Sequence, residues 1–419
     1  MVKTSAKSQS GSGFLIFLAW LCYSTSYLGK VNYSANITQI IDFYGVTKAE
    51  AGLVPTFFFF SYAVSQFIIG VLCKKFNIKW VIFGSLFLSG GINLIIAVSN
   101  NFAIVKWLWL LNGFVLSVLW PSIIRLLSEN LPQKDLSKSS FVIGTTVATG
   151  TVIIYALSSI FSVFSAFKLA FYVAAFSDFL VAIFWFLSFN TAVTNARNQK
   201  TNDDIKKSTT PTDDKKHTLA KNEKKILLLT VVSLCIFSVG INFIKDGLTT
   251  WVPSILKEQY GFPNYLSILL TIILPLIAIF GNMTSVAVHK IIPDYVTHCF
   301  IVFAIIGVGI LGIIGILNIN QAVLMLILLI IVFFLTSSLN SVVTSIFPMF
   351  MRGSLNSGLI AGILNGFCYA GSTISSYGLG VIADNFGWSA VFMSLFAFCL
   401  FTVLIWVVYQ ILKHSFKKA

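Results

Sequence analysis

The chain has 419 residues, of which 57% are hydrophobic and only 10% charged, with a mean hydropathy of +0.89; soluble globular proteins carry about 25% charged residues. Runs such as 81–98 and 322–339 are apolar on every side and long enough to cross a bilayer, which excludes both a soluble domain and a β-barrel, whose strands alternate. The net charge of +14 does not mark a nucleic-acid binder, because the basic residues fall mostly in alternate gaps between apolar runs.

Those basic gaps hold Lys3 and Lys7; Lys74, Lys75 and Lys79; Arg125, Lys134 and Lys138; a cluster from Arg197 to Lys225; Lys290; Arg352; and Lys413 to Lys418. The intervening gaps hold Lys48, Lys106, Lys168 and Lys257. The positive-inside rule then places both termini in the cytoplasm, in a plasma or inner membrane.

Taken in chain order, the first predicted span covers 14–35. It is expected to stay in place as an uncleaved span, since no small-residue cleavage site follows it. On a helix, Tyr23, Ser26, Tyr27, Lys30, Tyr33 and Ser34 share one face. Such a stripe is not tolerated by lipid and predicts a water-filled cavity. The second span, 51–73, carries Tyr62, Ser65 and Gln66. The third and fourth cover 80–98 and 104–127, the latter ending in the W-P-x-x-x-R element at 120–125. The fifth, 140–161, presents Thr145 and Thr149, and the sixth, 168–189, contains Asp178. A polar segment, 190–225, lacks large apolar residues and predicts a flexible cytoplasmic linker.

The seventh span, 226–251, repeats the pattern of the first with Ser238, Asn242, Lys245 and Thr249, and includes Asp246. Spans follow at 264–288, 296–317, 321–345 (Ser337, Ser341, Thr344), 355–382 (Asn365, Tyr369, Ser372, Ser376) and 388–411. The two sets of six echo each other. Lys30 precedes Tyr44-Gly45-Val46 much as Lys245 precedes Tyr260-Gly261-Phe262. Gly70 with Lys74 and Lys75 ends the second span as Gly281 with His289 and Lys290 ends the eighth. The expected domains are therefore 1–190, a linker over 191–225, and 226–419, with a substrate site between the halves near the midplane.

Lys30 has two readings: a lysine snorkelling to the outer surface, or half of an anion clamp with Lys245. Lys245 has its own alternative, an ion pair with Asp246, although adjacent helical residues diverge by about 100°. The equivalent placement of the two lysines favours the clamp. Asp178 either pairs with a polar neighbour in its bundle or carries a proton, and Asp246 is a second candidate for proton coupling. The six cysteines show no metal-ligand spacing, and the four histidines sit in loops or near span ends. No metal cluster, nucleophile motif or P-loop is legible, so an enzyme, a cofactor and an ATP-driven pump are not expected.

The segments "YLGKVN" (27–32), "SYAVSQFIIG" (61–70), "WPSIIR" (120–125), "GLTTWVPSILKEQYGF" (247–262), "GLIAGILNGFCYAG" (358–371) and "GVIADNFGW" (380–388) resemble the major facilitator superfamily. Within it they resemble the organophosphate:phosphate antiporters, the glycerol-3-phosphate and hexose-phosphate transporters. The W-P-x-x-x-R element is shared with the organic anion:cation symporters. The resemblance implies an all-α membrane protein, with twelve transmembrane helices in two pseudo-symmetric six-helix bundles. It places the family's two substrate-binding arginines on Lys30 and Lys245, and its second-span tyrosine on Tyr62. The chain departs from the family at Val31 and Gln66, where lysines are usual, at or near Thr145, where the family has histidine, and at Gly70–Lys75, where the family loop carries an aspartate.

Lysine is a point charge rather than a bidentate fork, so these departures leave room for a carboxylate or zwitterion beside a phosphate ester. The expected site is Lys30, Lys245, Tyr62, Tyr27, Gln66, Asn242, Thr145, Tyr369 and Asn365. The expected function is secondary transport of a small organic anion by alternating access and exchange. The alternatives are proton-coupled symport of a carboxylate or amino-acid-like metabolite, or a transporter-like membrane sensor. The expected partners are a small anionic metabolite and the lipid bilayer, with no nucleic acid and a functional monomer.

Overall fold

The computed structural model describes residues 10–72, 77–206, 221–319, 321–350 and 357–418. Every regular element among them is helical. The first half contains α1 (Ser10–Ala35), α2 (Ile37–Tyr44), α3 (Lys48–Leu72), α4 (Ile78–Val98), α5 (Phe102–Leu116), α6 (Leu119–Asn130), α7 (Gln133–Gly144), α8 (Thr146–Val163) and α9 (Lys168–Lys206). The second contains α10 (Lys221–Tyr260), α11 (Asn264–Thr271), α12 (Ile273–Ile291), α13 (Tyr295–Ile316), α14 (Ala322–Ser341), a π-helical turn (Val342–Ile346), α15 (Phe347–Phe350) and α16 (Ser357–Lys418).

Ten of the described helical runs are long and apolar enough to cross a membrane. One of these, Ile360–Lys418, is two helices separated at Gly387 (φ 75°, ψ −179°), a conformation open essentially to glycine alone. With α3 as a further crossing, the path has the twelve spans that the sequence predicts. Large apolar side chains such as Leu180, Leu187, Val308 and Leu404 cover the outside, as a hydrocarbon solvent requires.

Within the first half, α1 packs on α8 and α9, α4 on α9, and α3 on α5; within the second, α10 and α13 pack on α16, and α12 on α14. The halves meet where α3 lies on α16 and α8 on α11. The predicted echo is visible in the backbone, since Gly45 (φ 62°) and Gly261 (φ 68°) both turn the chain through left-handed conformations in corresponding places.

Prolines inside helices free a carbonyl one turn earlier, which is expensive in a membrane unless it is bonded again. Pro55 frees Ala51 O, and the Tyr33 hydroxyl donates to it at 3.0 Å. Pro253 frees Thr249 O, and Tyr155 donates to it from the other half at 3.3 Å. Tyr33→Phe is therefore expected to destabilise the chain by about 1–3 kcal/mol, read as a lower midpoint of thermal unfolding in detergent. An unchanged midpoint refutes this role.

The predicted linker needs correction. Residues 191–206 continue α9, and α10 already starts at Lys221. Ala192, Val193 and Ala196 are buried, while Arg197 donates to Asn130 and Lys200 to the Glu129 carbonyl. A stripe of small apolar residues is enough to seat a helix when polar neighbours anchor its flanks. The rest of the linker, 207–220, lies outside the described residues, as do Lys3, Lys7, Lys74, Lys75 and Arg352.

Candidate substrate cavity

A cavity of about 240 Å³ lies between the halves. The first half contributes Tyr27, Lys30, Val31 and Ser34 from α1, Pro55, Phe58 and Phe59 from α3, and Thr151 from α8. The second contributes Asn242, Lys245, Asp246 and Thr249 from α10, with Asn282, Ser337, Asn340, Asn365 and Tyr369 from α12, α14 and α16. Of the α1 face predicted from helical spacing, Tyr27, Lys30 and Ser34 line the cavity while Tyr23, Ser26 and Tyr33 are buried outside its lining; Asn242, Lys245 and Thr249 of α10 line it from the other half.

Lys30 is surrounded by aromatic rings. Its Nζ lies 4.6 Å from the ring centre of Tyr62, 4.9 Å from Tyr27, 5.3 Å from Tyr369 and 5.6 Å from Phe58. Such contacts stabilise an ammonium by about 0.5–2 kcal/mol each, more when water is excluded. The Tyr369 hydroxyl accepts from Nζ at 3.4 Å, and Tyr62 and Tyr369 pack with ring centres 4.5 Å apart. Tyr62 is buried behind Tyr369, reaching the site as one wall of this cage. Among the described residues, Lys30 forms no ion pair with a carboxylate.

Lys245 differs. Its Nζ lies 3.7 Å from Asp246 Oδ1, so the pairing that helix angles disfavour does form, loosely, because the long lysine stem bends back towards its short neighbour. The other oxygen, Oδ2, accepts from Ser372 Oγ at 2.5 Å and from Asn242 Nδ2 at 3.1 Å. Asp246 is therefore held by α16 as well as α10. Counting the lysines and this carboxylate, the cavity side chains carry +1.

Three predicted residues lie elsewhere. Gln66 donates to Ser117 O at 3.1 Å and fills the junction between α5 and α6. Thr145 sits at the break between α7 and α8, accepting from Trp20 Nε1 and donating to Val142 O. Asp178 is buried inside the first half, away from the cavity lining. Asn282 and Asn340 line the cavity but were missed. The signal was present, since Asn340 lies in the polar run Thr336–Ser341 of a membrane span and Asn282 lies beside Thr284 and Ser285 in another.

Contacts between the halves gather at the end carrying Gly45 and Gly261. Lys48 Nζ lies 3.2 Å from Glu258, and Lys257 Nζ lies 2.6 Å from Asp42. Asp384 of α16 accepts from the Lys48 and Ala49 backbone N–H groups at 3.2 and 2.7 Å, capping the N-terminus of α3 across the interface. Ser159 donates across to Tyr265 O at 2.7 Å, while Trp388 Nε1 donates to Glu258 within the second half and steadies that carboxylate. This end is closed.

Comparison with known proteins agrees with this architecture. A structure of a bacterial homologue of the human lysosomal transporter Spinster superposes with a TM-score of 0.74 at 12% identity, covering 98% of both chains; at that identity the likeness concerns the fold. The membrane sensor protein UhpC of Escherichia coli is 26% identical over 100 residues, covering 24% of this chain and 23% of its own length. A probable hexose phosphate transport protein of Chlamydia pneumoniae is 24% identical over 160 residues, covering 38% of this chain and 34% of its own length. The chain thus spans about a quarter to a third of the length of these curated relatives. The description of the Major Facilitator Superfamily matches residues 19–359. The chain belongs to the Major Facilitator Superfamily.

Proposed function

We propose that the chain exchanges a small organic anion, a phosphate ester or a related metabolite, across the membrane by alternating access, with the anion bridging Lys30 and Lys245. The observation that carries this reading is the placement of these lysines in one cavity, from opposite halves, against a single carboxylate. Asn242, Asn365, Tyr27 and Tyr369 supply neutral hydrogen bonds around them. The two halves, 1–190 and 226–419, act as the rocking bodies. The closed end faces outwards by the positive-inside rule, so the state described is the one reached from the cytoplasm.

Exchange follows from charge. Occluding an empty site strips water from two lysines that share one carboxylate, and each uncompensated buried charge costs several kcal/mol. A bound anion offsets that cost, so the loaded carrier reorients faster than the empty one. Asp246 supports a second reading. A carboxylate beside the clamp can receive an ammonium group, which favours a zwitterionic, amino-acid-like substrate and, if Asp246 changes protonation in the cycle, proton symport.

Counterflow into proteoliposomes containing the purified chain decides among these. Vesicles are loaded in turn with inorganic phosphate, phosphate esters, carboxylates and amino acids. Phosphate-driven exchange is the expected result. Flux with amino acids alone supports the second reading, and flux with none of them refutes both. Exchange by the purified chain also eliminates a sensor that needs a partner.

A further inference from the structure

The first half holds a second polar cluster, separate from the cavity. Asp178 of α9 is fully buried, and neither carboxylate oxygen has a hydrogen-bond partner. Ser89 Oγ of α4 and Asn112 Oδ1 of α5 are buried and unpartnered as well. The amide donors nearby are already committed. Asn112 Nδ2 donates to Gly29 O at 2.8 Å, Asn93 Nδ2 to Ser89 O at 3.0 Å and to Gly29 O at 3.4 Å, and Asn32 Nδ2 to Asn93 Oδ1 at 2.8 Å. Turning the Asn112 amide over would set its oxygen against the Gly29 carbonyl, so the orientation is fixed by its surroundings.

The cluster closes on Gly29. A Cβ at that position would lie 3.0 Å from Asp178 Oδ2, 3.2 Å from Ser89 Oγ and 2.8 Å from Asn93 Nδ2. Three of these buried oxygens are acceptors only, the two of Asp178 and Asn112 Oδ1, while the Ser89 hydroxyl has one proton, which it can donate to Asp178. A surplus of acceptors this deep in a membrane protein calls for a proton or a cation to offset it.

No side chain supplies it. From α1, Cys22 lies alongside Asp178, while the Lys30 ammonium is among the cavity rings. From α4 come the neutral Ser89 and Asn93, and from α5 Asn112. Tyr155 of α8 commits its hydroxyl to Thr249. Among the described residues, Asp178 forms no ion pair, and no group of three His, Cys, Asp or Glu side chains is placed to hold a metal ion. One carboxylate with neutral oxygens suits a hard monovalent cation and not a transition metal.

We propose that Asp178, Ser89 and Asn112 form a binding site for a small monovalent cation, a sodium ion or a proton, that couples to the anion cavity through Gly29. The coupling has a short path, since Gly29 is held by Asn112 and Asn93 on this side and is followed directly by Lys30 on the other. The coupling rests on the transport reading above; the binding does not.

Binding is tested first, on the purified chain in detergent. Thermal unfolding is followed in sodium chloride and in choline chloride at matched ionic strength, each over a series of pH values. A saturating occupant is expected to raise the midpoint by roughly 2–5 °C, with the shift reduced in Ser89→Ala and absent in Asp178→Asn. A sodium-dependent shift identifies sodium as the occupant. A shift that follows pH alone, in sodium-free buffer, identifies the proton. A midpoint indifferent to both, or a shift retained in both variants, overturns the site. Should Asp178→Asn fail to fold, Ser89→Ala carries the test.

Uptake driven by the identified cation's gradient then tests the coupling. Asp178→Asn is expected to lose accumulation against the anion gradient and keep Lys30-dependent counterflow. Absence of the thermal shift with intact counterflow removes the cation site alone. Loss of the anion effects with an intact shift removes the anion reading alone.

Discussion

Lys30→Ala and Lys245→Ala are each expected to weaken substrate binding by about 10- to 150-fold, the equivalent of about 1.5–3 kcal/mol for a hydrogen bond to a charged group. Either change takes the cavity side chains from +1 to neutral. The two losses are not equivalent in structure. Removing Lys30 empties an aromatic cage formed by both halves, because Tyr369 reaches it from α16 while Tyr27, Phe58 and Tyr62 belong to the first half. Removing Lys245 leaves the Asp246 carboxyl group beside the substrate without its cation, held by Ser372 and Asn242, and so sets acceptor oxygens against an anion as well as removing the attraction. Lys245→Ala is therefore expected to be the more severe of the two against an anion. Combining it with Asp246→Asn is expected to recover part of the loss.

Lys30→Arg is expected to keep transport and sharpen the preference for phosphate over carboxylate, since a guanidinium offers a planar fork and stacks on rings. The measurement is initial counterflow rate against substrate concentration, with protein amount and thermal midpoint as controls. Normal concentration dependence in both alanine variants would remove the clamp from the mechanism.

Gly52→Val is expected to push the carrier out of the state described here. A Cβ at Gly52 would overlap the Ser376 carbonyl oxygen and approach Trp251 at 3.1 Å; one at Gly380 would lie 2.7 Å from the Lys48 carbonyl oxygen. Both glycines let α3 and α16 touch backbone to backbone at the closed end, where Asp384 caps α3. Backbone cannot yield as a flexible side chain does, so the halves separate there or a helix bends. Separation at that end is what alternating access requires, and the variant is expected to favour it. Gly113 makes a similar contact with Phe58 O, but inside the first half. Gly113→Val is therefore expected to lower stability, by about 1–3 kcal/mol or more for overpacking, without shifting the state.

Spin labels on Glu50 and Asn385, exposed on opposite halves at the closed end, report the difference. Gly52→Val lengthens their separation and slows exchange at least tenfold; Gly113→Val leaves the separation as it is. Unchanged spectra in a folded, exchange-impaired Gly52→Val protein would show that this contact does not gate the closed end.

Much of this was written in the sequence by itself. Composition dictated a helical membrane protein because only closed backbone hydrogen bonding survives in hydrocarbon. Helical periodicity named the cavity faces of α1 and α10, with Lys30 and Lys245 in matching positions, because a polar stripe has nowhere else to go in lipid. The paired glycines at 45 and 261 marked the duplication.

Tertiary structure decided what those polar faces meet. Periodicity says that a residue avoids lipid, but it does not distinguish the cavity from the packed interior of one bundle. Gln66, Thr145 and Asp178 avoid lipid by packing within the first half, whereas Asn282 and Asn340 do so by lining the cavity. The loose Lys245–Asp246 pair, the ring cage around Lys30 and the cap of Asp384 on α3 join residues that are adjacent or hundreds of positions apart. Their existence depends on side-chain reach and on which helices lie side by side, quantities that no single span encodes.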